Sequence, residues 1–438
     1  MFNLIKILFS LGNERGYVHS GMTYNAGAGE LDYAIPTFWA ERLREDAIRR
    51  AFWGSRFEGK EGSNKPIIVN EDFTKKPGDR INFQVVSQCF TPGVTGETIL
   101  SGKEAKLALG QYYLTVDWLR NAYAYTKNLE RRVNFSITQT IRQNLSNWMA
   151  RHIDSDMFAA LIAGASNTLY AGNATTSADL DANDHFGTEE IDRIKLALQR
   201  TAIPIRVEGS DGQESEYYGI VISEIDEYWL KGDDVWNQAQ REAGVIGDKN
   251  RIFTGALGMY NGCILYVHRA KKSARDVQGS PLRPEARLYD TVTNASTEAE
   301  FDISTTYKDL GDFFSSTGSL IIDNEEMTYT SITAGTGTGS TYRFAGLTRG
   351  TNGTTAAAHT AGALITQRNV GSVIGFGAEL AVRGWGMKPA PITDTEDYGF
   401  IQGLGIAAVY GQSVIKDTAG DAPNYILMKT YANNPISV

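Results

Sequence analysis

One long segment, residues 128–164, constrains the fold of this chain more than any other part of the sequence. Its apolar side chains recur every three to five residues, a spacing that keeps one face of an α-helix apolar. No glycine or proline interrupts it before Gly164, which stands where a helix commonly ends. We expect a single helix over residues 128–163, about 50 Å long. The apolar positions are Val133, Ile137, Ile141, Leu145, Trp148, Ile153, Met157 and Leu161.

The apolar spacing of this helix is not a strict heptad, which favours a structural strut over a coiled coil. Elsewhere strands and helices alternate irregularly, and this predicts an α+β fold rather than a doubly wound sheet. A chain of 438 residues, 42% hydrophobic and 21% charged, is expected to be globular, with two or three modules.

Two runs of alternating residues, "INFQVV" from residue 81 and "LTVDW" from residue 114, predict a pair of β-strands. The connection between them contains "TPGVTGETILSGKEAKL", which is too polar for a core and too long for a tight hairpin. An isolated two-stranded ribbon is barely stable in water. We therefore expect the two strands to carry a long arm that rests on something else.

Residues 289–366 differ in composition from the sequence on either side. They are rich in Thr, Ser, Gly and Ala, and short strand-like runs such as "LIIDNEEMTYTSI" and "TYRFAGL" alternate with turn residues. The flanking segments return to the earlier composition. This pattern predicts a small β-module inserted into a host domain at an exposed loop.

The sequence offers little support for catalysis. Its five histidines have no metal-ligand spacing, its two cysteines stand far apart, and no nucleophile elbow is present. We expect no enzymatic activity, no catalytic or metal site and no cofactor. The net charge of −9 argues against a protein that mainly wraps nucleic acid.

The acidic stretch "DLDANDHFGTEE" leaves two interpretations open. Asp179, Asp181, Asn183 and Glu190 have the spacing of a calcium loop. The sixth position of such a loop requires glycine and is Asp184 here, which favours a solvated acidic loop ahead of a helix.

No segment approaches the roughly 18 apolar residues of a membrane span, so we expect no membrane association. The first 21 residues lack the cleavage site of a signal peptide. They are expected to be either an extension that packs on a neighbour or the result of a start upstream of Met22.

Several sequence segments occur in a characteristic order: "IPTFWAERL", "FTKKPGDRINFQV", "GVTGETILSGKEAKL", "LTVDWLRNAY" and "WMARHIDSDMFAALIAG". Together with the later "RIFTGALGMYNGCILYVHRA" and "GFGAELAVRGWG", this order resembles the major capsid proteins of tailed bacteriophages, specifically those of N-four-like phages. The resemblance covers most of residues 25–290 and 368–415.

The resemblance implies the α+β Hong Kong ninety-seven-type capsid fold, with an N-terminal arm, an extended β-loop, a long spine helix and an axial domain. It assigns the regions as follows: residues 1–60 the N-terminal arm; 61–125 the extended loop and adjoining strands; 126–214 the peripheral domain with the spine helix; 215–288 and 367–438 the axial domain and the rest of the peripheral domain; 289–366 the inserted β-module.

The function implied is self-assembly through interlocking arms and loops into the icosahedral shell that encloses the phage genome. The implied partners are other copies in hexamers and pentamers, a scaffold, a portal, cement or decoration proteins, and packaged DNA by non-specific proximity. The implied location is the virion, after assembly in the host cytoplasm. The inter-subunit contact at the loop tip would involve Gly93, Thr95, Glu97, Lys103, Glu104 and Lys106.

Two alternatives belong to other classes. A tail or baseplate protein of the virion would fit the Thr-rich module but not the long helix and the arm. A secreted β-rich carbohydrate-binding protein or hydrolase would need a carboxylate pair at a strand end, and none stands out.

Overall fold

The structure is a computed structural model. It describes residues 51–432 except 55, 61, 71–79, 87–92, 102–103, 105–108, 135, 178, 209–213, 244–257, 270–281, 283–284, 303–313, 315–316, 335–341, 352 and 368–369. The chain divides into two compact units. Among the described residues, the first unit holds Ala51, Asp117–Ala150 and Gly386–Tyr410, and the second unit holds the remainder.

The described elements comprise strands, five α-helices and a short 3-10 turn at Asp397–Gly399. The helices are α1 (Lys127–Arg132), α2 (Ile137–Ala163), α3 (Thr188–Thr201), α4 (Glu224–Gly232) and α5 (Asp234–Ala243). The strands are β1 (Glu58–Gly59), β2 (Ile67–Asn70), β3 (Arg80–Val86), β4 (Leu109–Thr115), β5 (Asp117–Thr126), β6 (Thr168–Tyr170), β7 (Ile205–Glu208), β8 (Glu214–Ser223), β9 (Met259–Tyr260), β10 (Cys263–His268), β11 (Glu285–Leu288), β12 (Glu298–Asp302), β13 (Gly318–Ile322), β14 (Glu325–Tyr329), β15 (Ser331–Ala334), β16 (Tyr342–Ala345), β17 (Leu364–Gln367), β18 (Val370–Phe376), β19 (Ala381–Glu396), β20 (Ile401–Val414) and β21 (Tyr425–Tyr431).

The predicted long helix is present, but the expectation of one continuous helix from residue 128 is wrong. Val133 has extended backbone angles and ends α1, and α2 begins at Ile137. Ser136 starts the second helix, because its Oγ accepts a hydrogen bond from the Gln139 amide at 3.4 Å. A serine in this position caps a new helix instead of continuing the old one. The helix α2 is therefore about 40 Å long.

In the first unit, the end of β19, β20 and β5 lie side by side in that order. β5 and β20 pair antiparallel over ten residues, from Asp117↔Tyr410 to Thr126↔Ile401. The N-terminal half of α2 supplies buried apolar residues to this unit, namely Ile137, Ile141, Leu145 and Met149.

The second unit contains a sheet with the order β6-β21-β18-β8-β10-β9, with β7 paired to β8. Every residue of the central strand β18 is buried, since apolar clusters cover both of its faces. The small residues of this segment, "GSVIGFGAEL", favour a helix or a loop, and the structure shows that this expectation is wrong for residues 370–376. Its glycines serve close packing: a Cβ on Gly375 would come within 2.3 Å of Ile194 Cγ2 on α3.

Helix α3 follows the acidic loop that contains Asp179, Asp181 and Asn183. Its sequence, a threonine ahead of two glutamates, predicts Thr188 as the cap, but the cap position is Gly187. The side chain of Glu190 accepts a hydrogen bond from the Gly187 amide at 3.1 Å. Thr188 instead donates both its amide and its hydroxyl hydrogen to the carboxylate of Asp233.

Strands β11–β17 form a separate seven-stranded sheet in the order β14-β13-β17-β11-β12-β16-β15. This sheet encloses its own apolar core. A bridge between Thr328 and Thr348 joins β14 to the chain that follows β16, so the sheet curls towards closure. The run expected as one strand, "LIIDNEEMTYTSI", is folded back at Asp323, whose φ is 54°.

Candidate assembly interface

A ribbon made of β3 and β4 is present. Its first strand matches the predicted run "INFQVV", but the prediction of "LTVDW" as the second strand is wrong, because β4 spans Leu109–Thr115 and Val116 separates it from β5. The strands pair antiparallel over seven positions, from Arg80↔Thr115 to Val86↔Leu109. The rings of Phe83 and Tyr112 stack across the ribbon with centroids 5.0 Å apart. Among the described residues the two strands form a sheet of their own, with no third strand.

The base of the ribbon is fixed to the second unit. Leu114 and Val116 are buried there. Gly411 lies against the ribbon so closely that a Cβ at this position would meet the carbonyl oxygen of Thr115 at 1.9 Å. Only glycine allows this approach. The arm therefore starts from a rigid point.

The connection at the far end of the ribbon is exposed to solvent. Gly93, Thr95, Glu97 and Glu104, which we assigned to an inter-subunit contact, are all exposed. Gly93 has a φ of 73°, which accounts for glycine at this position. Lys103 and Lys106, the other two residues assigned to the contact, lie outside the described residues.

The arm also exposes large apolar side chains that sequence reasoning did not select. Ile99 is 75% exposed and Leu100 56% exposed, within the otherwise polar connection. In the sequence, the adjacent pair Ile99–Leu100 within a polar segment was the feature that could have indicated these exposed apolar residues. With three exposed side chains on the ribbon they form what we call the arm surface: Val86, Ile99, Leu100, Leu109 and Tyr113.

A buried polar network holds the first described residues of the chain within the second unit. The Asp154 carboxylate accepts hydrogen bonds from the amides of Phe52 and Trp53, at 2.6 and 2.9 Å. Arg383, itself buried, forms an ion pair with Glu58 and donates to the carbonyl of Trp53. Trp53 is completely buried among aromatic rings.

The network perturbs the ionisation of Asp154. Burial is the largest influence and raises the pKa of this carboxyl to about 6. The hydrogen bonds from Phe52 and Trp53 and the charge of Arg383 act in the opposite direction but do not cancel the effect of burial. At neutral pH the Asp154 carboxyl is therefore mostly ionised, and burial makes this ionised form less favourable than it is in water.

The acidic loop proposed as a calcium site directs its carboxylates onto the protein itself. Asp179 Oδ2 accepts hydrogen bonds from the amides and hydroxyls of Thr175 and Thr176, and these bonds lower the pKa of Asp179. Asp181 accepts from the amide of Asn183. Within the described residues no group of three or more acidic, His or Cys side chains is arranged to hold a metal ion.

The sheet of β11–β17 contains a buried cluster of charged side chains. Arg349 binds Glu325 through two hydrogen bonds of 2.7 Å. Both ring nitrogens of His359 lie 2.8 Å from carboxylate oxygens, one of Asp323 and one of Glu325. Burial would raise the pKa of Glu325, but the hydrogen bonds it accepts outweigh this and lower it to about 2. The cluster fixes the turn at Asp323 onto the loop that carries Arg349.

None of the helices in the described part of the chain combines the length and apolar character needed to cross a membrane.

The sequence profile of the phage capsid protein family matches residues 28–171 and 157–283, which together span more than half of the 438 residues. No curated protein sequence matches the chain. The family match confirms the resemblance to phage capsid proteins that the sequence indicated, and it decides against the tail and baseplate alternatives.

Solved capsid structures share the fold. The capsid protein of Ralstonia phage GP4 is 16% identical, with a TM-score of 0.55 over 97% of this chain and 98% of that one. The capsid protein of cyanophage Pam1 is 15% identical, with a TM-score of 0.58 over 88% of this chain and 94% of that one. The protein of the acid-stable capsid of Helicobacter pylori bacteriophage KHP30 is 14% identical, with a TM-score of 0.56 over 86% of this chain and 90% of that one.

These similarities extend over most of the chain and confirm the predicted α+β fold. The chain therefore belongs to the phage capsid protein family: it is a major capsid protein of a tailed bacteriophage, with the Hong Kong ninety-seven-type fold, and a structural component of the virion shell.

Proposed function

We propose that copies of this chain build the shell by laying the arm of each copy on an adjacent copy. The observation that carries the proposal is the arm surface, a set of large exposed apolar side chains on a ribbon that has no third strand among the described residues. When several large apolar side chains are left exposed on one arm, a protein partner that covers them is the usual explanation. A bare ribbon is unstable in water, so a neighbour that covers it stabilises both chains.

The fixed base of the ribbon supports the same proposal. Leu114 and Gly411 hold the arm at a defined point, so the arm surface projects in one direction. Each copy then gives one arm and receives one, and such heterologous contacts close into rings of five or six copies. Many modest contacts, summed over the shell, resist the pressure of the packaged genome.

Other parts of the proposal rest on the family resemblance. Assembly would take place in the host cytoplasm, with a scaffold, a portal and cement proteins as partners, and packaged DNA would lie near the inner wall without specific binding. The chain would have no enzymatic activity. The regional assignments given above, including the inserted module at residues 289–366, belong to the same proposal.

The first test is electron microscopy of the purified chain, expressed alone and together with the other head proteins of its phage. We expect closed particles, tubes or hexameric sheets. A chain that stays monomeric in both preparations would contradict the shell function.

The second test replaces the tip of the arm surface with charges. The double variant Ile99→Asp with Leu100→Asp should reduce particle yield at least tenfold, because two side chains that bury on the neighbour become charged. The matched control is Thr98→Asp with Ser101→Asp, which adds the same charge at adjacent exposed polar positions. Equal yields from the two variants would show that the apolar tip does not contact a neighbour.

A further inference from the structure

The turn between β19 and β20 has an unusual backbone. Asp397, Tyr398 and Gly399 follow one another with φ values of 50°, 49° and 83°. Positive φ is accessible to glycine and tolerated by aspartate, but it is unfavourable for a bulky tyrosine. Strain of this kind persists where the surrounding structure requires it, and it is concentrated at functional sites.

The strained turn presents Tyr398 entirely to solvent. Its exposure is 108% of the reference value, so it makes almost no contact with its own chain. Ile392 on β19 and Phe400, directly before β20, are each 45% exposed. We call residues 392–400 the hairpin tip. Tyrosine with adjacent apolar residues is the composition most typical of interface hot spots.

Charges of opposite sign lie on the hairpin tip and on the helix beside it. The tip carries Asp394, Glu396 and Asp397, whereas α1 carries three basic residues, Lys127, Arg131 and Arg132, and one acidic residue, Glu130. The two are neighbours within the first unit, because the Lys127 amide donates a 2.9 Å hydrogen bond to the Phe400 carbonyl. No ion pair between described residues joins the acidic tip to the basic side chains of α1.

We propose that the hairpin tip docks on α1 of a second copy of this chain, with Tyr398 and Phe400 buried against the neighbour and the acidic side chains facing its Arg131 and Arg132. The proposal rests on the shell function and adds a second contact, distinct from the arm. Because the contact joins the acidic patch of one copy to the basic patch of another, it can repeat from copy to copy and close into a ring.

Tyr398→Gly tests the role of the ring. Glycine relieves the unfavourable φ, so the isolated subunit should melt at the same temperature as the wild type or higher. Its particles should nevertheless dissociate at a lower urea concentration, because the ring no longer buries at the contact. These opposite directions separate an interface role from a structural one. Tyr398→Phe, which keeps the ring, is the control and should leave particles unchanged.

Charge reversal tests the partner surface. Asp394→Lys with Glu396→Lys, and separately Arg131→Glu with Arg132→Glu, should each lower particle yield at least tenfold. The four substitutions together should restore most of the yield, since the reversed charges again attract. A combined variant that assembles no better than either pair would overturn the proposed pairing.

The results also distinguish this contact from the shell function itself. Wild-type particles that resist urea no better than Tyr398→Gly particles would overturn the hairpin-tip contact and leave the shell function intact. A wild-type chain that forms no particles under any condition would overturn both.

Discussion

Asp154 and Glu325 are both enclosed carboxyl groups, and their pKa values move in opposite directions. Burial dominates at Asp154 and raises its pKa to about 6, although two backbone amides and Arg383 oppose it. Glu325 meets a bidentate arginine, a histidine and two amides, and its pKa falls to about 2 in spite of burial. The number and charge of the donors, and not burial alone, determine which form each site prefers.

Asp154 gives a pH prediction for the anchor of residues 52–58. The pKa of Asp154 in the folded protein, about 6, lies above the ordinary value of 3.8. Its protonated form therefore contributes to folding stability fully below pH 3.8, and this contribution is lost as the pH rises through about 6. The shift corresponds to about 3 kcal/mol. We expect the protection of the Phe52 and Trp53 amides against hydrogen exchange, corrected for intrinsic rates, to fall between pH 4 and 7.5.

Asp154→Asn removes the ionisation and should flatten this pH dependence, whatever its effect on absolute stability. Asp290→Asn, the same change at an exposed position, should keep the wild-type slope. Identical slopes in all three proteins would mean that Asp154 does not titrate in this range.

Among the secondary structure elements, the ribbon and α2 were predictable because their periods of two and 3.6 residues run through many positions. The break before α2 was not, because apolar spacing continues across Val133 while Ser136 starts a new helix by capping it. The strand β18 was misread because its glycines, which suggest a loop, serve close contact with α3. Such contacts depend on partners distant in sequence.

Gly375→Ala should therefore destabilise the second unit. Its Cβ would overlap Ile194 Cγ2 and come within 3.2 Å of Leu198 Cδ1, so β18 and α3 must separate. We expect a loss of roughly 1–3 kcal/mol, measured by urea unfolding of the subunit.

Gly232→Ala is the control, since its Cβ would meet nothing within 4 Å at the end of α4. It should change stability by no more than about 0.5 kcal/mol. Equal losses in the two variants would point to backbone flexibility as the reason for glycine at residue 375, and would contradict the packing explanation.

For the molecule as a whole, the order of the sequence segments, through their resemblance to phage capsid proteins, was sufficient to predict the capsid fold. The segments also indicated the arm, but only part of the surface that we propose as its contact. Ile99 and Leu100 escaped notice because they are exposed on the chain itself, and hydrophobic periodicity marks only positions that are buried within one chain. The backbone strain at Tyr398 was equally hidden, since nothing in "TEDYGF" marks a positive φ at tyrosine.

The sheet of β11–β17 should be removable. Its first and last strands pair antiparallel, with Glu285 opposite Thr366, and its core is its own. Replacing residues 285–367 with a short Gly-Ser linker should leave particle assembly intact by electron microscopy, because the cut ends are already adjacent. Inserting the same linker at Gly353, without a deletion, is the control. Failed assembly of the deletion variant alone would show that this sheet takes part in shell contacts.

The pairing of β11 with β17 places the entry and exit of the sheet one strand spacing apart, about 5 Å. This junction is therefore an insertion site: a foreign domain whose N- and C-termini lie equally close together can replace the sheet without straining the rest of the subunit. A peptide antigen or an enzyme inserted there would be repeated once per subunit, and the virion would become a dense, regularly spaced display.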